Sequence, residues 1–241
     1  MNVWPRLELH DEADCCWTIS DLRFPLFNSV MRARVGEDDA DALIDGRVAA
    51  CRDRGVPMLW WTGPSTSPGD LGQRLLDRGF LLEPATGMTA TLDAQAATDP
   101  SVQVERVGDQ RTLGEWSHVL CQSFAAPAAF GQALRELANA AGLDEAAPFQ
   151  HFLARQRGTP VGTSSLFVGG AVAGIYDVST LPEVRRRGIG AAITRAAMAE
   201  AWRRGCRTAI LHASDLGLSM YRAIGFRAVC DIGQYVWTPH R

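Results

Sequence analysis

The sequence contains no lysine, so all 24 of its basic residues are arginines. Without lysine the chain cannot perform Schiff-base catalysis or carry a Walker phosphate-binding loop, in which a lysine follows the glycines. The arginines are outnumbered by 27 acidic residues, which gives a formal net charge of −3. Because nucleic-acid-binding proteins concentrate basic charge, this balance argues against a nucleic-acid partner.

Long apolar runs and paired cysteines are also missing. No stretch of about 18 uninterrupted apolar residues occurs, so we expect no membrane-spanning helix and no membrane partner. Residues 1–14 are charged and lack the apolar core of a secretory signal. The six cysteines form no Cys-x-x-Cys pair and no histidines cluster near them, which predicts neither a zinc site nor a disulfide framework. We therefore expect a cytoplasmic protein that uses no metal.

The rest of the composition is typical of a globular protein, with 46% hydrophobic and 21% charged residues. A length of 241 residues allows one large domain or two small ones. The segment 93–100 is polar, rich in alanine and closed by a proline, which is typical of a linker. We therefore predict two lobes, spanning residues 1–95 and 101–241.

In the second lobe, alternating and helical hydrophobic patterns predict an α/β fold with a sheet of mixed direction. A glycine pair at positions 169 and 170 predicts a two-residue hairpin between two of the strands. The predicted strands cover residues 102–107, 149–156, 161–168, 171–180 and 208–212, with two closing strands within 226–237. The predicted helices cover residues 113–124, 130–143, 188–204 and 216–224.

The first lobe resembles a weaker copy of the second. A helix that ends at a glycine recurs at an offset of 150 positions, with the glycines at Gly55 and Gly205. A second such helix recurs at an offset of 146 positions, ending at Gly79 and Gly225, and a short strand lies between the helices in both lobes. These recurrences predict a duplicated fold. The alternative is a chance similarity between two ordinary helix–strand–helix units.

The sharpest motif in the chain is Arg185-Arg-Arg-Gly-Ile-Gly190, between a predicted strand and an alanine-rich helix. Its glycines permit a tight turn and let backbone amides approach a ligand. The first turn of the following helix leaves about four N–H donors unpaired and adds partial positive charge. Three arginines supply full charges beside these donors. The motif therefore predicts a site for a phosphate or pyrophosphate group.

Two other interpretations of this motif are weaker. A dinucleotide-binding loop requires a third glycine where this chain has Ile193. An arginine triplet can also form a solvated helix start or a nucleic-acid contact. A single basic cluster in a net-acidic chain gives little support to the nucleic-acid contact.

The motif and its surroundings resemble the GCN5-related N-acetyltransferase (GNAT) family. The resemblance runs through residues 176–190, the following helix, and residues 213–226, which read Ala-Ser-Asp-Leu-Gly-Leu-Ser-Met-Tyr-Arg-Ala-Ile-Gly-Phe. It implies the acyl-coenzyme A N-acyltransferase fold, with a mixed, mostly antiparallel central sheet flanked by helices. It also implies acetyl-coenzyme A (acetyl-CoA) as cosubstrate. By this resemblance, the backbone amides that hold its pyrophosphate belong to Arg186, Arg187, Gly188, Ile189, Gly190 and Ala191.

The resemblance implies roles for residues on both sides of this loop. The strand residues Val178, Ser179 and Thr180 would pair with the pantetheine arm, although an ordinary sheet strand fits the same sequence. Tyr221 would protonate the departing thiolate, which a phenol that is neutral near pH 7 can do; the alternative is a core tyrosine. Ser214 stands where many relatives carry an asparagine near the pantetheine arm, which is a departure from the family pattern.

The resemblance does not identify a general base. Gly174 stands where some relatives carry a glutamate, so that carboxylate is missing. Asp177 lies on the same strand, but alternation places it on the face opposite Val178 and Thr180. His212 ends the next strand, where it could face the cleft or form part of the core. We assign no base from the sequence.

The first lobe lacks the corresponding features. The offset of 150 places Asp38 against Gly188, beside further acidic residues that would repel a pyrophosphate. The offset of 146 places Leu75 against Tyr221, so the proton donor is absent as well. We expect this lobe not to bind coenzyme A, but to pack against the second lobe and form a wall of the acceptor site.

These expectations combine into an enzyme that transfers an acetyl group from acetyl-CoA to a small-molecule or peptide amine by direct attack in a ternary complex. No cysteine is placed to suggest a covalent acyl-enzyme. The alternative is a non-catalytic coenzyme A sensor or interaction module. The missing carboxylate at Gly174 favours this alternative, and the retained Tyr221 disfavours it.

Overall fold

The computed structural model describes residues 4–94 and 102–239. The chain divides into two compact units, the first formed by Met1–Thr86 together with Cys230–Arg241, and the second by Gly87–Val229. The C-terminal segment thus belongs to the first unit. Of the predicted linker over 93–100, only the first two residues lie within the described part of the chain.

The described residues form eleven strands, six α-helices and two short 3₁₀ helices, at Pro25–Phe27 and Pro182–Val184. The strands are β1 (Leu7–Asp11), β2 (Cys16–Ser20), β3 (Ser29–Met31), β4 (Met58–Thr62), β5 (Leu81–Thr91), β6 (Gln103–Arg106), β7 (Phe149–Gln156), β8 (Thr159–Gly169), β9 (Val172–Thr180), β10 (Thr208–Ala213) and β11 (Arg227–Trp237). The helices are α1 (Ala40–Arg54), α2 (Leu71–Asp77), α3 (Gln110–Phe124), α4 (Ala128–Ala141), α5 (Ile189–Arg203) and α6 (Asp215–Ala223).

In the first unit, neighbouring strands follow the order β1-β2-β3-β4-β11, with β11 contributing its residues from Cys230 onward. Strands β3 and β4 pair in parallel, whereas β1–β2, β2–β3 and β4–β11 pair antiparallel. Helix α1 connects β3 to β4 and ends at Gly55, whose φ of 66° is a left-handed conformation that glycine adopts without a Cβ penalty. The core of this unit includes the fully buried Trp60.

In the second unit, the strand order is β5-β10-β9-β8-β7-β6, with β5 contributing its residues from Gly87 onward. Strands β9 and β10 pair in parallel, and β6–β7, β7–β8 and β8–β9 pair antiparallel. Helix α3 begins with a reciprocal capping box between Asp109 and Thr112, which satisfies two amides of its first turn. The helix then directs Trp116 and Leu120 into the core of the unit.

Helices α3 and α5 cover opposite faces of the second unit's sheet. The Ser164 hydroxyl donates to the carbonyl oxygen of Ile193 in α5 at 3.3 Å. The next residue, Ser165, instead bonds His151, whose ring lies 4.5 Å from that of Trp116 in α3. Because consecutive strand residues point to opposite faces, Ser164 defines the α5 face and Ser165 the α3 face.

The predicted α/β fold with a mixed, mostly antiparallel sheet flanked by helices is confirmed. One element was predicted wrongly, because the two closing strands expected within residues 226–237 are the single strand β11, Arg227–Trp237. Within β11, Gly233 pairs in register with Thr62 of β4. A Cβ there would lie 2.4 Å from the Thr62 hydroxyl oxygen. Gly233 therefore allows a close approach between two strands and does not form a turn.

The same connection recurs in both units. A helix joins two parallel strands, and a shorter helix follows the second of them: β3-α1-β4-α2 in the first unit and β9-α5-β10-α6 in the second. No helix in the described ranges is long and apolar enough to cross a membrane. All six cysteines are free thiols, and three of them are buried.

Candidate active site

The second unit contains a cleft where its two parallel strands separate. Pairing between β9 and β10 runs from Val172 and Thr208 to Gly174 and Ile210. Beyond that point β9 continues to Thr180 and β10 to Ala213, with no further pairing between them among the described residues. The facing strand edges therefore leave backbone donors and acceptors that a ligand can bind as a neighbouring strand would.

A β-bulge in β9 accompanies this separation. Thr163 of β8 pairs with Ser179, and Ser165 pairs with Tyr176, so two residues of β9 stand opposite a single residue of β8. The first of the two, Asp177, has a φ of 54°. The Thr163 hydroxyl donates to the carbonyl oxygen of Asp177 at 2.6 Å and also bonds the Ser179 hydroxyl at 2.7 Å. Because a bulge bends its strand, these contacts hold β9 in the bent conformation.

The predicted anion-binding loop leads from β9 into α5. It turns through a left-handed Arg186, with a φ of 62°, and Gly188, which caps α5 with a φ of 79°. The amide of Ala192 donates to the carbonyl oxygen of Gly188 at 2.9 Å, which is the first helical bond. The amides before Ala192 are those that a helix start leaves without intrahelical partners. Gly188 is exposed and Gly190 half-buried, so the end of this helix is accessible from solvent.

Gly190 lies where three elements of the predicted site meet. A Cβ at this position would lie 2.9 Å from the sulfur of Met220 in α6 and 3.7 Å from the hydroxyl oxygen of Thr180 in β9. The structure thus brings together the end of β9, the start of α5 and the helix that carries Tyr221. A single added carbon would narrow the space beside Gly190. The glycine therefore keeps this space open for a ligand to approach the backbone amides closely.

The three arginines of the motif have different environments. Arg185 donates to the carbonyl oxygens of Thr180 and Ser123, both at 3.1 Å, and so ties the loop to β9 and to the end of α3. Arg187 donates to the carbonyl oxygen of Glu183 at 3.4 Å. In the parts of the chain that the structure describes, the exposed guanidinium of Arg186 makes no hydrogen bond or ion pair. Arg186 is therefore the arginine most available to an anionic ligand.

Tyr221 packs its ring into the core of the second unit, where it is 8% exposed. The ring lies against Gly217 and makes an edge contact with Phe226, with centroids 5.9 Å apart. Burial raises the pKa of Tyr221 to about 12, so the phenol stays protonated at neutral pH. Its hydroxyl has no hydrogen-bond partner among the described residues, which leaves this donor available to a ligand.

The remaining predicted cofactor residues lie around the same cleft. Val178 is half-buried, and Ser179 is buried through its bond to Thr163. Ser214 is the exposed N-cap of α6, and its carbonyl oxygen accepts the amides of Gly217 and Leu218. Because Ser214 precedes Tyr221 by two helical turns, the two residues lie on the same side of α6.

The candidate bases take three different positions. Gly174 is buried under the ring of Tyr176, since a Cβ there would lie 2.5 Å from the ring atoms. His212 is exposed at the end of β10. Asp177 is half-buried in the bulge of β9, and burial raises its pKa above the ordinary value for aspartate.

The first unit fills its corresponding strand opening with its own loop. Beyond the parallel pair of Val30 and Trp60, Ser67 forms a parallel bridge beside Arg34. The Ser67 amide donates to the carbonyl oxygen of Ala33 at 3.1 Å, and the Ser67 carbonyl oxygen accepts the amide of Val35 at 3.2 Å. This loop therefore takes the backbone groups that a bound ligand would need.

The helix start of the first unit carries negative charge. Helix α1 is capped by Asp39 and has Asp41 in its first turn. Asp41 is paired with Arg74 of α2 and with Arg78, the residue that caps its end, at 3.3 Å and 3.0 Å. Carboxylates at this position compete with an anionic ligand for the helix N-terminus, and the nearby guanidinium groups are already paired.

The cleft beside a glycine-opened helix start, set in a mixed sheet, defines the class of acyl-coenzyme A N-acyltransferase folds. Residues 117–226 match the Acetyltransferase (GNAT) family. Residues 117–226, within the second unit, are therefore a GNAT domain, and the resemblance predicted from the motif is confirmed. Family and fold together support an acyl-CoA-dependent N-acetyltransferase in general. The described residues contain no group of three or more side chains suited to hold a metal ion.

The whole chain is similar to solved structures of the same fold. A GCN5-related N-acetyltransferase from Kribbella flavida has a TM-score of 0.73 at 14% identity, over 98% of this chain and 90% of that chain. One from Sphaerobacter thermophilus has a TM-score of 0.64 at 17% identity, over 95% and 81%. A tandem GNAT protein from the clavulanic acid biosynthesis pathway has a TM-score of 0.64 at 14% identity, over 99% and 85%. No curated protein sequence matches the chain.

Proposed function

We propose that the second unit transfers an acetyl group from acetyl-CoA to a small-molecule or peptide amine, with both substrates bound together. The observation that carries this proposal is the separation of β9 from β10 directly beside the start of α5. One cleft then offers a free strand edge for an amide-containing arm and free helix amides for a pyrophosphate. Acetyl-CoA contains both groups in a single molecule.

The residues of the loop and strand would divide the binding of acetyl-CoA between them. The amides of residues 186–191 would hold the pyrophosphate, with the guanidinium of Arg186 adding a full charge. The backbone of Val178, Ser179 and Thr180 would pair with the pantetheine arm. Ser214, at the start of α6, would lie beside that arm.

In the reaction, the amine nitrogen would attack the thioester carbonyl carbon directly. Holding both substrates in one cleft accounts for much of the acceleration, and backbone donors at the bent strand would polarise the carbonyl. The carbon–sulfur bond then breaks, and Tyr221 would donate its proton to the departing thiolate. The proton that the attacking nitrogen loses would pass to water, and exchange with water would restore the phenol. Cys206 is buried at the end of α5, where it is not placed to form an acyl-enzyme.

We further propose that the first unit is a diverged copy that has lost the coenzyme A site, so that the chain is a tandem GNAT protein. The recurring β-α-β-α connection supports the duplication, and the loop around Ser67 together with the acidic start of α1 supports the loss. Residues 1–95 and 101–241 would then correspond to the two copies in sequence.

An acceptor screen tests the proposed reaction. The protein is incubated with acetyl-CoA and a panel of amines, amino acids and peptides, and free thiol is measured. We expect acceptor-dependent thiol release with at least one amine class. The absence of a carboxylate at Gly174 favours a second candidate, a non-catalytic coenzyme A sensor. A sensor would bind acetyl-CoA and release no thiol with any acceptor, which would contradict the proposed reaction.

Calorimetric titration with coenzyme A tests the loss of the first site. We expect one binding site per chain, because the first unit pairs its own Ser67 with Ala33 and Val35 and places carboxylates at the start of α1. Arg186→Ala, a matched change in the second unit, should weaken that single site by about tenfold, the effect of losing one charge-assisted contact. Two equal sites per chain would contradict the diverged-copy proposal.

A further inference from the structure

Two buried hydroxyl groups join strands β8 and β9 at the bulge. Thr163 of β8 pairs with Ser179 of β9, and their exposed fractions are 0% and 6%. The Thr163 hydroxyl donates to the carbonyl oxygen of Asp177 at 2.6 Å, and its oxygen lies 2.7 Å from that of the Ser179 hydroxyl. Because the carbonyl oxygen accepts the single hydroxyl proton of Thr163, Ser179 must donate to Thr163. The two hydroxyls therefore form a directed chain that ends on the backbone of Asp177.

This chain is possible only in the bulged register of β9. Without the extra residue, Thr163 would stand opposite Val178 and not opposite Ser179. A shift of one residue also turns every following side chain to the other face of the sheet. Thr180, whose hydroxyl lies beside Gly190 at the start of α5, would then point to the α3 face. The two hydroxyls thus favour the register that gives the end of β9 its observed orientation.

The bulge needs such support because its backbone is strained. Asp177 has a φ of 54°, a left-handed conformation that a residue with a side chain adopts only at a cost in free energy. Strain of this kind persists where surrounding contacts hold the backbone in place. The Thr163 hydroxyl provides such a contact directly on Asp177, and because Thr163 is fully buried, water cannot take its place.

The direction of the Asp177 carbonyl group also sets the direction of the next amide. In a planar trans peptide, the N–H of Val178 points opposite to the C=O of Asp177. Since that C=O is bonded from β8, the N–H of Val178 points away from β8. The neighbour of β9 on the other side is β10, whose pairing with β9 ends at Gly174. The Val178 amide is thus directed toward the cleft.

We infer that Thr163 is a positioning residue for the proposed acetyl transfer. Its hydroxyl, supported by Ser179, aims the Val178 amide at the thioester carbonyl oxygen, on which negative charge develops as the amine attacks. Thr163 acts through the backbone of β9 and exchanges no proton with either substrate. This inference rests on the proposed function.

The end of β9 is held by separate contacts. The Leu181 amide donates to the carbonyl oxygen of Val161 at 3.0 Å, and the guanidinium of Arg185 donates to that of Thr180 at 3.1 Å. These contacts lie between the bulge and the anion-binding loop, and neither involves the two hydroxyls. Loss of the clamping hydroxyl should therefore disturb the bulge and leave the loop in place.

Kinetics of Thr163→Val test the positioning role, because valine keeps the shape of threonine and lacks the hydroxyl. With the amine found in the acceptor screen, we expect kcat to fall about tenfold. This is less than the 100-fold or more that follows the loss of an oxyanion donor, because the amide remains and only its direction changes. The affinity for acetyl-CoA should stay within about threefold, since the interaction strengthens mainly in the transition state. Thr163→Ser keeps the hydroxyl and should recover most of the rate.

Ser164→Ala is the matched control. Ser164 is also fully buried and is the next residue in β8, but its hydroxyl donates to the carbonyl oxygen of Ile193 in α5. Its removal should lower the thermal stability by a similar amount and leave kcat within about twofold of the wild type. An equal fall of kcat in Thr163→Val and Ser164→Ala would show a general loss of packing and overturn the inference.

Infrared spectroscopy of the bound thioester gives a readout that does not depend on turnover. Acetyl-CoA with carbon-13 at the thioester carbonyl is bound without acceptor, and its C=O stretch is compared with that of free acetyl-CoA. A donor aimed at the carbonyl oxygen polarises the bond and lowers this frequency. We expect a lowered frequency in the wild type and in Ser164→Ala, and a return toward the free value in Thr163→Val. If Thr163→Val does not fold, Ser179→Ala, which removes the donor to Thr163, tests the same chain from β9.

The outcomes separate this inference from the proposed function. A wild-type carbonyl frequency together with a wild-type kcat in Thr163→Val, or in Ser179→Ala where that variant is used, would overturn the role of Thr163 and leave the proposed acetyl transfer intact. A wild-type protein that binds acetyl-CoA and releases no thiol with any acceptor would instead overturn the proposed function, and with it the role of Thr163.

Discussion

Replacing Gly190 by leucine is expected to weaken acetyl-CoA binding by about 100-fold, the upper end of what overpacking a close contact costs. The first carbon of the new side chain would already lie 2.9 Å from the Met220 sulfur and 3.7 Å from the Thr180 hydroxyl oxygen, so the side chain would occupy space between α6, β9 and the start of α5. The amides at the start of α5 are the donors that the proposed pyrophosphate site requires. Calorimetric titration of the variant measures the loss directly.

A second change distinguishes disturbed packing from a blocked ligand. Met220→Ala combined with Gly190→Leu gives the new side chain space on the α6 side, so the thermal stability lost in the single variant should return. Binding should remain weak, because the leucine would still occupy the cleft between β9 and the start of α5. Full recovery of coenzyme A affinity in the double variant would show that Gly190 serves helix packing and not ligand approach.

The sequence predicted the main features of the second unit because its signals are local. The alternation of residues 149–180, the glycines that end helices, and the Arg185–Gly190 motif each depend on neighbouring residues only. The structure accordingly places β7, β8, β9 and α5 within a few residues of their predicted limits. The early strands of the first unit, β1 to β3, are only three to five residues long, too short for periodicity to identify.

The features that were not predicted depend on residues far apart in the chain. The bulge at Asp177 is defined by the register of β9 against Thr163 and Ser165 of β8. The sequence of β9 alone does not determine this register. Arg185 joins the loop to α3 because its guanidinium donates to the carbonyl oxygen of Ser123, which is 62 residues away in the sequence. Likewise, the pairing of Ser67 with Ala33 depends on tertiary structure.

In the proposed cleft, backbone groups and side chains would serve different functions. Binding of the cofactor would fall mainly to amides and strand edges, which tolerate substitution of their side chains as long as glycine remains at the tight positions. Proton transfer to the departing thiolate would instead need a particular side chain, the phenol of Tyr221 on α6. A mainly backbone-bound cofactor would explain why Ser214 departs from the family pattern. Loss of the Tyr221 phenol, in contrast, should lower kcat.

Replacing Tyr221 by phenylalanine is expected to lower kcat about 100-fold while the affinity for acetyl-CoA changes little, since removing a general acid costs about this much. The ring would keep its contacts with Gly217 and Phe226, so the fold should not suffer. Tyr235→Phe is the matched control, because Tyr235 is equally buried but lies in the first unit. That variant should keep the wild-type rate.

Changing the leaving group tests directly whether Tyr221 donates a proton to the thiolate. A thiol of lower pKa departs without a proton, so the defect of Tyr221→Phe should shrink when acetyl-CoA is replaced by a thioester of a more acidic thiol on the same pantetheine arm. The high pKa of Tyr221, about 12, further requires that no alkaline limb below pH 10 arise from its ionisation. A defect of the same size with both thioesters would assign Tyr221 to packing and leave the thiolate to take its proton from water.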